Sequence, residues 1–148
     1  MRKRIGLISL FVFLAAAPAF LVPLMSRAQT VISLPEPGKT EPLYGLAYKA
    51  NAFEAKITAV TLSITSAEGA DPVVGEWTFL GSNSDGQMHK VLIYTRMLDE
   101  AGTQLAVESK LCMIGGGYKD YPCRVDLKVK AAEWKATKSL RIVTDWQS

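Results

Sequence analysis

The sequence predicts an all-β protein, a single antiparallel β-sandwich of about seven strands, with a small closed β-barrel as the alternative. Three observations favour this fold. Apolar side chains recur at every second position in most segments after residue 43, which is the period of a half-buried strand. Clusters of Gly, Asp, Asn, Ser and Pro separate these segments. No long stretch after the first 28 residues shows the helical period.

The first 28 residues are predicted to be a signal peptide and not part of the fold. Residues 2–4 are basic, residues 5–25 are apolar, and residues 26–28 place Ser and Ala before a cut at Gln29. This order of charge, apolar run and small residues is typical of export signals. The segment that follows, residues 29–42, is predicted to be a Pro-rich linker, and residues 43–148 form the β-sandwich domain.

Two alternatives for the N-terminal segment stay open. A cut after Ala17 or Ala19 also leaves an apolar run of sufficient length. An uncleaved anchor is the other alternative, because residues 5–25 as a helix at about 1.5 Å each reach across a hydrocarbon layer of about 30 Å. Pro18 and Pro23 disfavour such a helix, since proline kinks it.

The formal charge of the exported part argues against nucleic-acid binding. The whole chain has a net charge of +3, but four of its 17 basic residues lie in residues 1–28, which contain no acid. The remaining 13 basic residues face 14 acidic ones, so no basic surplus is left to attract phosphates. We predict no nucleic-acid partner, and membrane contact only through an uncleaved N-terminal segment.

The two cysteines bear on the compartment. Cys112 and Cys123 are the only ones in the chain, and disulfides persist in oxidising compartments. We therefore predict a periplasmic or extracellular protein with these two cysteines bridged. Anchoring to the inner membrane by residues 5–25 is the alternative location.

The first predicted strands cover residues 43–49 and 53–66. The first is short and weakly patterned, and the second is rich in residues that favour strands. Within the second, the apolar positions change parity between Ala59 and Val60. A one-residue slip exchanges the two faces of a strand, so this change predicts a β-bulge there.

The next strands are predicted at residues 73–80 and 89–98. Trp77 and Phe79 share one face of the first, and the turn-forming residues 81–86 follow it. The strand at 89–98 carries apolar residues on both faces. Such a strand is typically central in a sheet and covered on both sides.

Residues 105–130 are predicted to form a β-hairpin with the loop 115–122 at its tip and the cysteines at the base of that loop. On the second arm, Cys123 shares its parity with the apolar residues. On the first arm, Cys112 has the opposite parity to most apolar residues, so a regular ladder would keep the two sulfurs apart. Either the cysteines are unpaired, or a bulge near Ser109 and Lys110 intervenes. Such a bulge turns Cys112 and Ile114 inward, and Leu111 and Met113 outward.

The chain is predicted to end with a connection and a last strand. Residues 131–139 connect the hairpin to residues 140–146 and contain one helical turn around Trp134. In the last strand Leu140, Ile142 and Trp146 have the same parity.

Part of this pattern resembles the FxLYD-type immunoglobulin-like domains of exported bacterial proteins. The resemblance rests on the segment Val-Gly-Glu-Trp at 74–77, the strand at 91–98 and the Asp-x-x-Gly turn at 99–102. It departs from the family at Phe79, where asparagine is frequent, and at residues 97–98, where Leu-Tyr is typical. The resemblance implies an Ig-like sandwich with a non-catalytic, extracytoplasmic role, and it supplies no functional residue.

The sequence gives no support for an enzyme. His89 is the only histidine, no G-x-S-x-G segment is present, and Ser82 and Ser84 lie in a predicted turn. We expect His89 to be an exposed residue at a strand end. The three glycines at 115–117 lack the Lys-Ser/Thr pair of a phosphate-binding loop. We therefore predict no catalytic residue and no cofactor.

A metal site is also not predicted. Met88 and His89 could bind Cu(I), but Met97 and Met113 have the parity of core residues and no spacing motif joins the four. A zinc site would need two ligands besides the cysteine pair, and one histidine does not complete the usual sets.

Two surfaces are predicted to bind a partner. Tyr118 and Tyr121 lie in the glycine-rich loop 115–122, and Arg124, Lys128 and Lys130 lie on the outward face of the strand that follows. We predict a binding or structural module whose partner is another envelope or extracellular protein. The alternatives are a secreted enzyme inhibitor that uses the loop 115–122, and a small-ligand carrier.

Overall fold

The computed structural model describes residues 26–50 and 52–147, without the side chains of Ser26 and Ala50. All of the predicted signal peptide except its last three residues lies outside this part of the chain. Nine strands and one short helix follow one another: β1 (Ser26–Ser33), β2 (Thr40–Pro42), β3 (Ala47–Ala50), β4 (Phe53–Ile64), β5 (Val73–Asn83), β6 (His89–Leu98), β7 (Gln104–Ile114), β8 (Tyr121–Val129), α1 (Ala131–Ala136) and β9 (Ser139–Gln147).

The strands form two antiparallel sheets that pack face to face, which confirms the predicted sandwich. The four-stranded sheet has the order β1-β9-β6-β7. The five-stranded sheet has the order β2-β4-β5-β8, and β3 also pairs with β4. The sheets remain separate, so the alternative of a closed barrel is wrong.

The strand count exceeds the prediction because residues 29–42 are not simply a linker. This segment contributes most of β1 and all of β2, each at the edge of a different sheet. Ala28 and Ile32 pack against the core, while the turn around Pro37 lies between the two strands. The inward residues of β1 are too few to give a clear period-two signal, and the three prolines of residues 29–42 are typical of a linker.

The inward faces of both sheets fill the interior. Trp77 and Phe79 from β5 belong to the same core cluster as Ile93, Met97 and Ile142 from the other sheet, and all five side chains are fully buried. Such close filling is what stabilises a two-layer fold, at roughly 25 cal/mol for each Å² of apolar surface removed from water. Met97 is therefore a core residue, as its parity predicted.

The predicted bulge in β4 is confirmed. The pairing of β4 with β5 shifts between Ile57 and Ala59, which leaves Thr58 as the extra residue. The hydroxyl of Thr58 donates to the Leu80 carbonyl oxygen at 3.2 Å. The bulge lets Ile57 and Val60 both reach the core although their parity differs.

β6 is central, as predicted, but only one of its faces is covered. It lies between β9 and β7. Leu92 and Tyr94 point away from the core and remain half-buried on the outer surface of the four-stranded sheet. The expectation that both faces of β6 are covered was wrong. Its second set of apolar residues, Leu92 and Tyr94, lies on the outer surface of the sheet instead of in a second core.

The predicted hairpin is wrong. β7 pairs with β6 in one sheet, and β8 pairs with β5 in the other, so the two arms belong to different sheets. The loop between them is a corner that crosses from sheet to sheet. Each arm therefore takes its inward parity from its own sheet, and no bulge is needed to bring the sulfurs together.

The pairing of β7 with β6 shows that β7 contains no bulge near the cysteine. Residues 106–114 pair with β6 without a break, so the bulge predicted near Ser109 and Lys110 is wrong, and the irregularity lies at Leu105 instead. The predicted orientations are nevertheless confirmed. Cys112 and Ile114 are buried, and Leu111 and Met113 are exposed. Met113 is therefore not the core residue that its parity had suggested.

The C-terminal elements follow the prediction. α1 is the helical turn expected around Trp134, whose ring lies 6.4 Å from that of Trp77. β9 contains the predicted last strand and lies between β1 and β6. Among the helices of the described residues, none has the length and apolar character needed to cross a membrane.

Candidate functional site

The corner between β7 and β8 is closed by the predicted disulfide. Cys112 and Cys123 are bonded, with their Cα atoms 5.7 Å apart. In the ladders, Cys112 lies opposite Val91 and Cys123 lies opposite Phe79. The bond thus joins the edge of one sheet to the edge of the other and fixes the base of the loop 115–122.

The loop is also held by hydrogen bonds to the turn that joins β5 and β6. The amide of Asn83 donates to the Tyr118 carbonyl oxygen at 2.9 Å, and the amide of Gly117 donates to the Asp85 carbonyl oxygen at 2.9 Å. The buried side-chain amide of Asn83 donates to the carbonyl oxygens of Ile114 and Gln87, at 3.0 Å and 2.7 Å. The loop is therefore ordered before any partner binds.

A close backbone approach makes this docking possible. A Cβ atom on Gly116 would lie 2.5 Å from the carbonyl carbon of Gly86, a distance that real Cβ atoms do not show. Any side chain at position 116 would push the loop away from the turn. The glycine content of the loop thus has a specific structural reason at this position.

The two predicted tyrosines pack against each other. Their rings lie 5.5 Å apart in an edge-to-face arrangement, and the ring of Tyr118 covers the backbone of Gly115. Tyr121 is partly buried against the core, whereas Tyr118 is 56% exposed. Tyr118 is therefore exposed to solvent, and its ring packs against that of the partly buried Tyr121.

Grooves lie on both sides of this pair. One, of about 510 Å³, is lined by Tyr118, Lys119 and Asp120 on the loop and by Glu54 and Lys56 on β4. Hydrogen bonds from Lys56 and Lys49 lower the pKa of Glu54, so this carboxylate stays charged at neutral pH. The groove therefore offers one aromatic ring and charges of both signs.

The second groove, of about 310 Å³, runs over the disulfide. Tyr121, Pro122 and Arg124 line one side of it, and Leu111 and Met113 line the other. It brings Arg124 close to the tyrosine pair, as the predicted binding surface requires.

The predicted basic residues do not form one patch. Arg124 pairs with Glu76, with 3.4 Å between Nε and Oε1, and Asp126 lies between Arg124 and Lys128. Lys128 and Lys130 lie near the far end of β8, seven or more residues from Tyr121. Only Arg124 is thus near the loop.

His89 is not the exposed residue that was predicted. Its Nε2 lies 2.8 Å from Asp85 Oδ2, and both side chains are largely buried, at 12% and 13% exposure. The ring also lies 5.6 Å from that of Tyr48. Its position is inward on β6, because it shares the parity of Val91 and Ile93. The pair ties the β5–β6 turn, and with it the docked loop, to the core.

The surroundings of His89 suit a structural role. Its one side-chain hydrogen-bond partner among the described residues is Asp85. The nearby Ser84 hydroxyl instead donates to the Glu54 carbonyl oxygen and accepts from the Glu54 amide. Within residues 26–50 and 52–147, no three His, Cys, Asp or Glu side chains are grouped as metal ligands.

Glu108 spans the gap between the two edge strands at the disulfide side. Its carboxylate accepts from the Lys128 amide at 3.4 Å, so a side chain of β7 meets the backbone of β8. Burial raises the pKa of Glu108, and the nearby Asp126 carboxylate adds to this rise. A raised pKa in the folded state means that the folded protein binds this proton more tightly than the unfolded chain does.

Replacing Glu108 by glutamine is expected to stabilise the fold slightly at pH 7, by about 0.5 kcal/mol or less since solvent screens the carboxylate. Glutamine keeps an acceptor for the Lys128 amide and removes the charge. In the parent, the stability linked to the Glu108 proton is present at low pH and is lost as the pH rises through the raised pKa. The gain in thermal midpoint should therefore shrink as the pH falls towards 4. A variant that is less stable than the parent at every pH would contradict this.

The prediction missed one surface, the outer face of the four-stranded sheet. Val107, Leu111 and Met113 are exposed there beside the half-buried Leu92 and Tyr94. The available signal was on β7 itself, where two charged residues, Glu108 and Lys110, share the parity of Cys112. Since the charged residues have the parity of the buried Cys112, the apolar residues of the other parity, Val107, Leu111 and Met113, face outward.

Comparison with known proteins adds no family assignment. No protein-family model matches this chain, and no curated protein matches it either.

Proposed function

We propose that this protein is a non-catalytic binding module of the bacterial periplasm or cell surface, and that the loop 115–122 is its contact surface. The observation that supports this most is the ordered presentation of Tyr118, which is exposed on a loop fixed by a disulfide and by backbone hydrogen bonds. A loop that is already ordered loses less conformational freedom when a partner binds. Its partner is another envelope or extracellular protein.

Location outside the cytoplasm is part of the same proposal. The disulfide is compatible with an oxidising compartment, and the apolar N-terminal residues have the order of an export signal. β1 begins at Ser26, so the cut before Gln29 would remove its first three residues. A cut after Ala17 or Ala19 leaves this strand whole, and we favour it for that reason.

An enzyme inhibitor is the second candidate, because the same ordered loop is the element that an inhibitor needs. Tyr118 is exposed and lines one groove, and Tyr121 lines the other, although the ring of Tyr118 folds back over Gly115. A small-ligand carrier has less support. The space between the sheets is occupied by fully buried side chains, including Trp77, Phe79 and Leu127.

Replacing Tyr118 by alanine is expected to weaken partner binding at least about tenfold, because exposed tyrosines on ordered loops commonly dominate binding energy. The measurement is a quantitative pull-down from envelope extracts with the full chain as bait. Tyr44→Ala is the matched control, since Tyr44 is 78% exposed and precedes β3. Gly116→Ala should weaken binding too, because it pushes the loop away from the β5–β6 turn although the Tyr118 side chain itself is unchanged.

The outcome separates the candidates. Equal recovery by the Tyr118→Ala variant and the parent would refute the loop as contact surface. Recovery of one enzyme whose activity falls in proportion to added parent protein would favour the inhibitor. Recovery of a non-enzymatic envelope assembly would favour the binding module.

A further inference from the structure

The outer face of the four-stranded sheet carries an apolar stripe along its β7 edge. Val107, Leu111 and Met113 are 46%, 45% and 51% exposed. Leu92 and Tyr94 lie beside them on β6, with Leu92 directly opposite Leu111. At about 3.3 Å per residue, the stripe from Val107 to Met113 is about 20 Å long. Single exposed apolar residues need no explanation, but several apolar side chains gathered on one face of two paired strands indicate an interaction surface.

Three cations accompany the stripe. Lys90 lies opposite Met113, Arg96 lies opposite Val107, and Arg141 lies opposite Arg96 on the next strand. None of the three has a carboxylate within 4.0 Å among the described residues. Asp145 is the one acidic side chain that β6, β7 and β9 present on this face.

Arg96 is held in place although no carboxylate pairs with it. Its guanidinium lies 5.9 Å from the centre of the Tyr94 ring, and its Nη1 donates to Gln104 Oε1 at 3.1 Å. Its shielded Nε has no hydrogen-bond partner in the described part of the chain. A positive charge fixed in this way is suited to an external carboxylate.

The outer face of the five-stranded sheet is different, and it serves as an internal comparison. Facing positions there are Thr61 and Thr78, then Ser63 and Glu76. Its Arg124 already pairs with Glu76. This face is the more polar of the two, with Val74 as its one large apolar residue above one-third exposure among the described residues of β4, β5 and β8.

We propose that the outer face of the four-stranded sheet binds an acidic amphipathic segment of another protein. Apolar side chains of that segment cover the stripe formed by Leu92, Val107, Leu111 and Met113, and its carboxylates meet the cations. Three strands at about 4.8 Å spacing make a platform about 10 Å wide, which is the width of one helix. This surface shares no residue with the loop 115–122, although Leu111 and Met113 also line the groove beside Tyr121. Arg96 and Val107 belong to this surface alone, so the Arg96→Gln variant tests it separately from the contact surface proposed above.

Charge decides between this occupant and two others. A second copy of the chain would set Lys90, Arg96 and Arg141 against a face whose own charges are mainly positive, and like charges across an interface weaken it. An anionic membrane is disfavoured because the chain after a cut at Ala17 or Ala19 has 14 basic and 14 acidic residues, which gives no overall attraction to a charged surface. The exposed apolar residues of this face are also Val, Leu and Met, without the Trp or Phe common in interfacial anchors.

The test uses the full chain, labelled with ¹⁵N, and a synthetic helix-forming peptide of about 14 residues, the length of a helix that covers the stripe. The peptide has leucines at helical spacing and glutamates on the flanks, and a matched peptide has lysines in place of the glutamates. We expect the acidic peptide to shift amide signals of β6, β7 and β9, and to bind at least about tenfold more tightly than the lysine peptide.

Variants locate the binding site. Leu111→Asp is expected to weaken the acidic peptide at least about tenfold, and Ser109→Glu, which changes an exposed position between Val107 and Leu111, should weaken it as well. Arg96→Gln should weaken it about threefold to tenfold. Val74→Asp is the matched control, because Val74 is 37% exposed on the outer face of the other sheet. It should leave binding unchanged.

Four results would overturn the proposal. The first is equal binding of both peptides, and the second is no binding of the acidic peptide at millimolar concentration. The third is binding to phosphatidylglycerol vesicles that Leu111→Asp abolishes, which would assign the face to a membrane. The fourth is a dimer in sedimentation experiments that the same substitution dissociates, which would assign it to a second copy.

Discussion

Replacing Phe79 by alanine is expected to lower the free energy of unfolding by about 3–5 kcal/mol, the range for a large aromatic residue removed from a core. Phe79 is fully buried in the middle of β5, between Val60 on β4 and Cys123 on β8. Neighbouring strands hold the backbone on both sides, so the cavity cannot close easily. Domains of this size are stable by about 5–15 kcal/mol, and the variant would lose a large part of that.

Urea unfolding followed by tryptophan fluorescence measures the effect. Leu80→Ala is the matched control, because Leu80 is the next residue, points outward and is only half-buried. We expect its cost to be about 1 kcal/mol. If Leu80→Ala cost as much as Phe79→Ala, the assignment of inward and outward faces along β5 would be contradicted.

Removing the disulfide by the double substitution Cys112→Ala and Cys123→Ala is expected to cost about 2–3 kcal/mol. The two residues are 11 apart in sequence, and closing a loop of that length in the unfolded chain accounts for a little under ~3 kcal/mol in the entropic description. The bond joins two sheet edges that no strand pairing connects, so no ladder replaces it.

The control for this prediction is the parent protein itself, unfolded with and without reductant. The reduced parent should match the double variant within about 1 kcal/mol, since both lack the same constraint. Equal stability of the oxidised parent and the double variant would show that the bond contributes nothing. The thermal midpoint of the double variant should also fall less than that of Phe79→Ala.

Local patterning was enough to predict most strands and the two-layer architecture. Trp77 and Phe79 on one face, and Leu140, Ile142 and Trp146 on one face, are buried as their parity predicted. These predictions succeeded because the side-chain period of a strand is a property of the backbone alone.

Which strands pair with each other could not be predicted from local sequence patterns. β7 and β8 are neighbours in sequence with a turn-rich loop between them, and this pattern is typical of a hairpin. Whether β7 pairs with β8 or with β6 depends on which partner buries more surface, a long-range property. The mixed parity of β7, with Glu108 and Lys110 on the side of Cys112, was the one local sign of the difference.

The candidate site was predicted only in part. The cysteines and Tyr118 come together as expected, because they are close in sequence. The inward position of His89 follows the parity of Val91 and Ile93, a local signal that the prediction did not use. The docking of the loop on the β5–β6 turn depends on residues about 30 positions apart, such as Asn83 and Ile114. No local pattern contains that information.

The placement of β1 has a mechanical consequence. β1 runs antiparallel to β9 with Ser26 opposite Trp146, so the chain enters and leaves the domain side by side. A force that pulls these two points apart loads the β1–β9 hydrogen bonds one pair at a time, because those bonds lie perpendicular to the strands. β1 then unzips at low force, whereas a sheared pair of strands resists as a unit. Under tension β1 is thus the first element to yield, and the bridged corner, three strands away in the same sheet, is left intact.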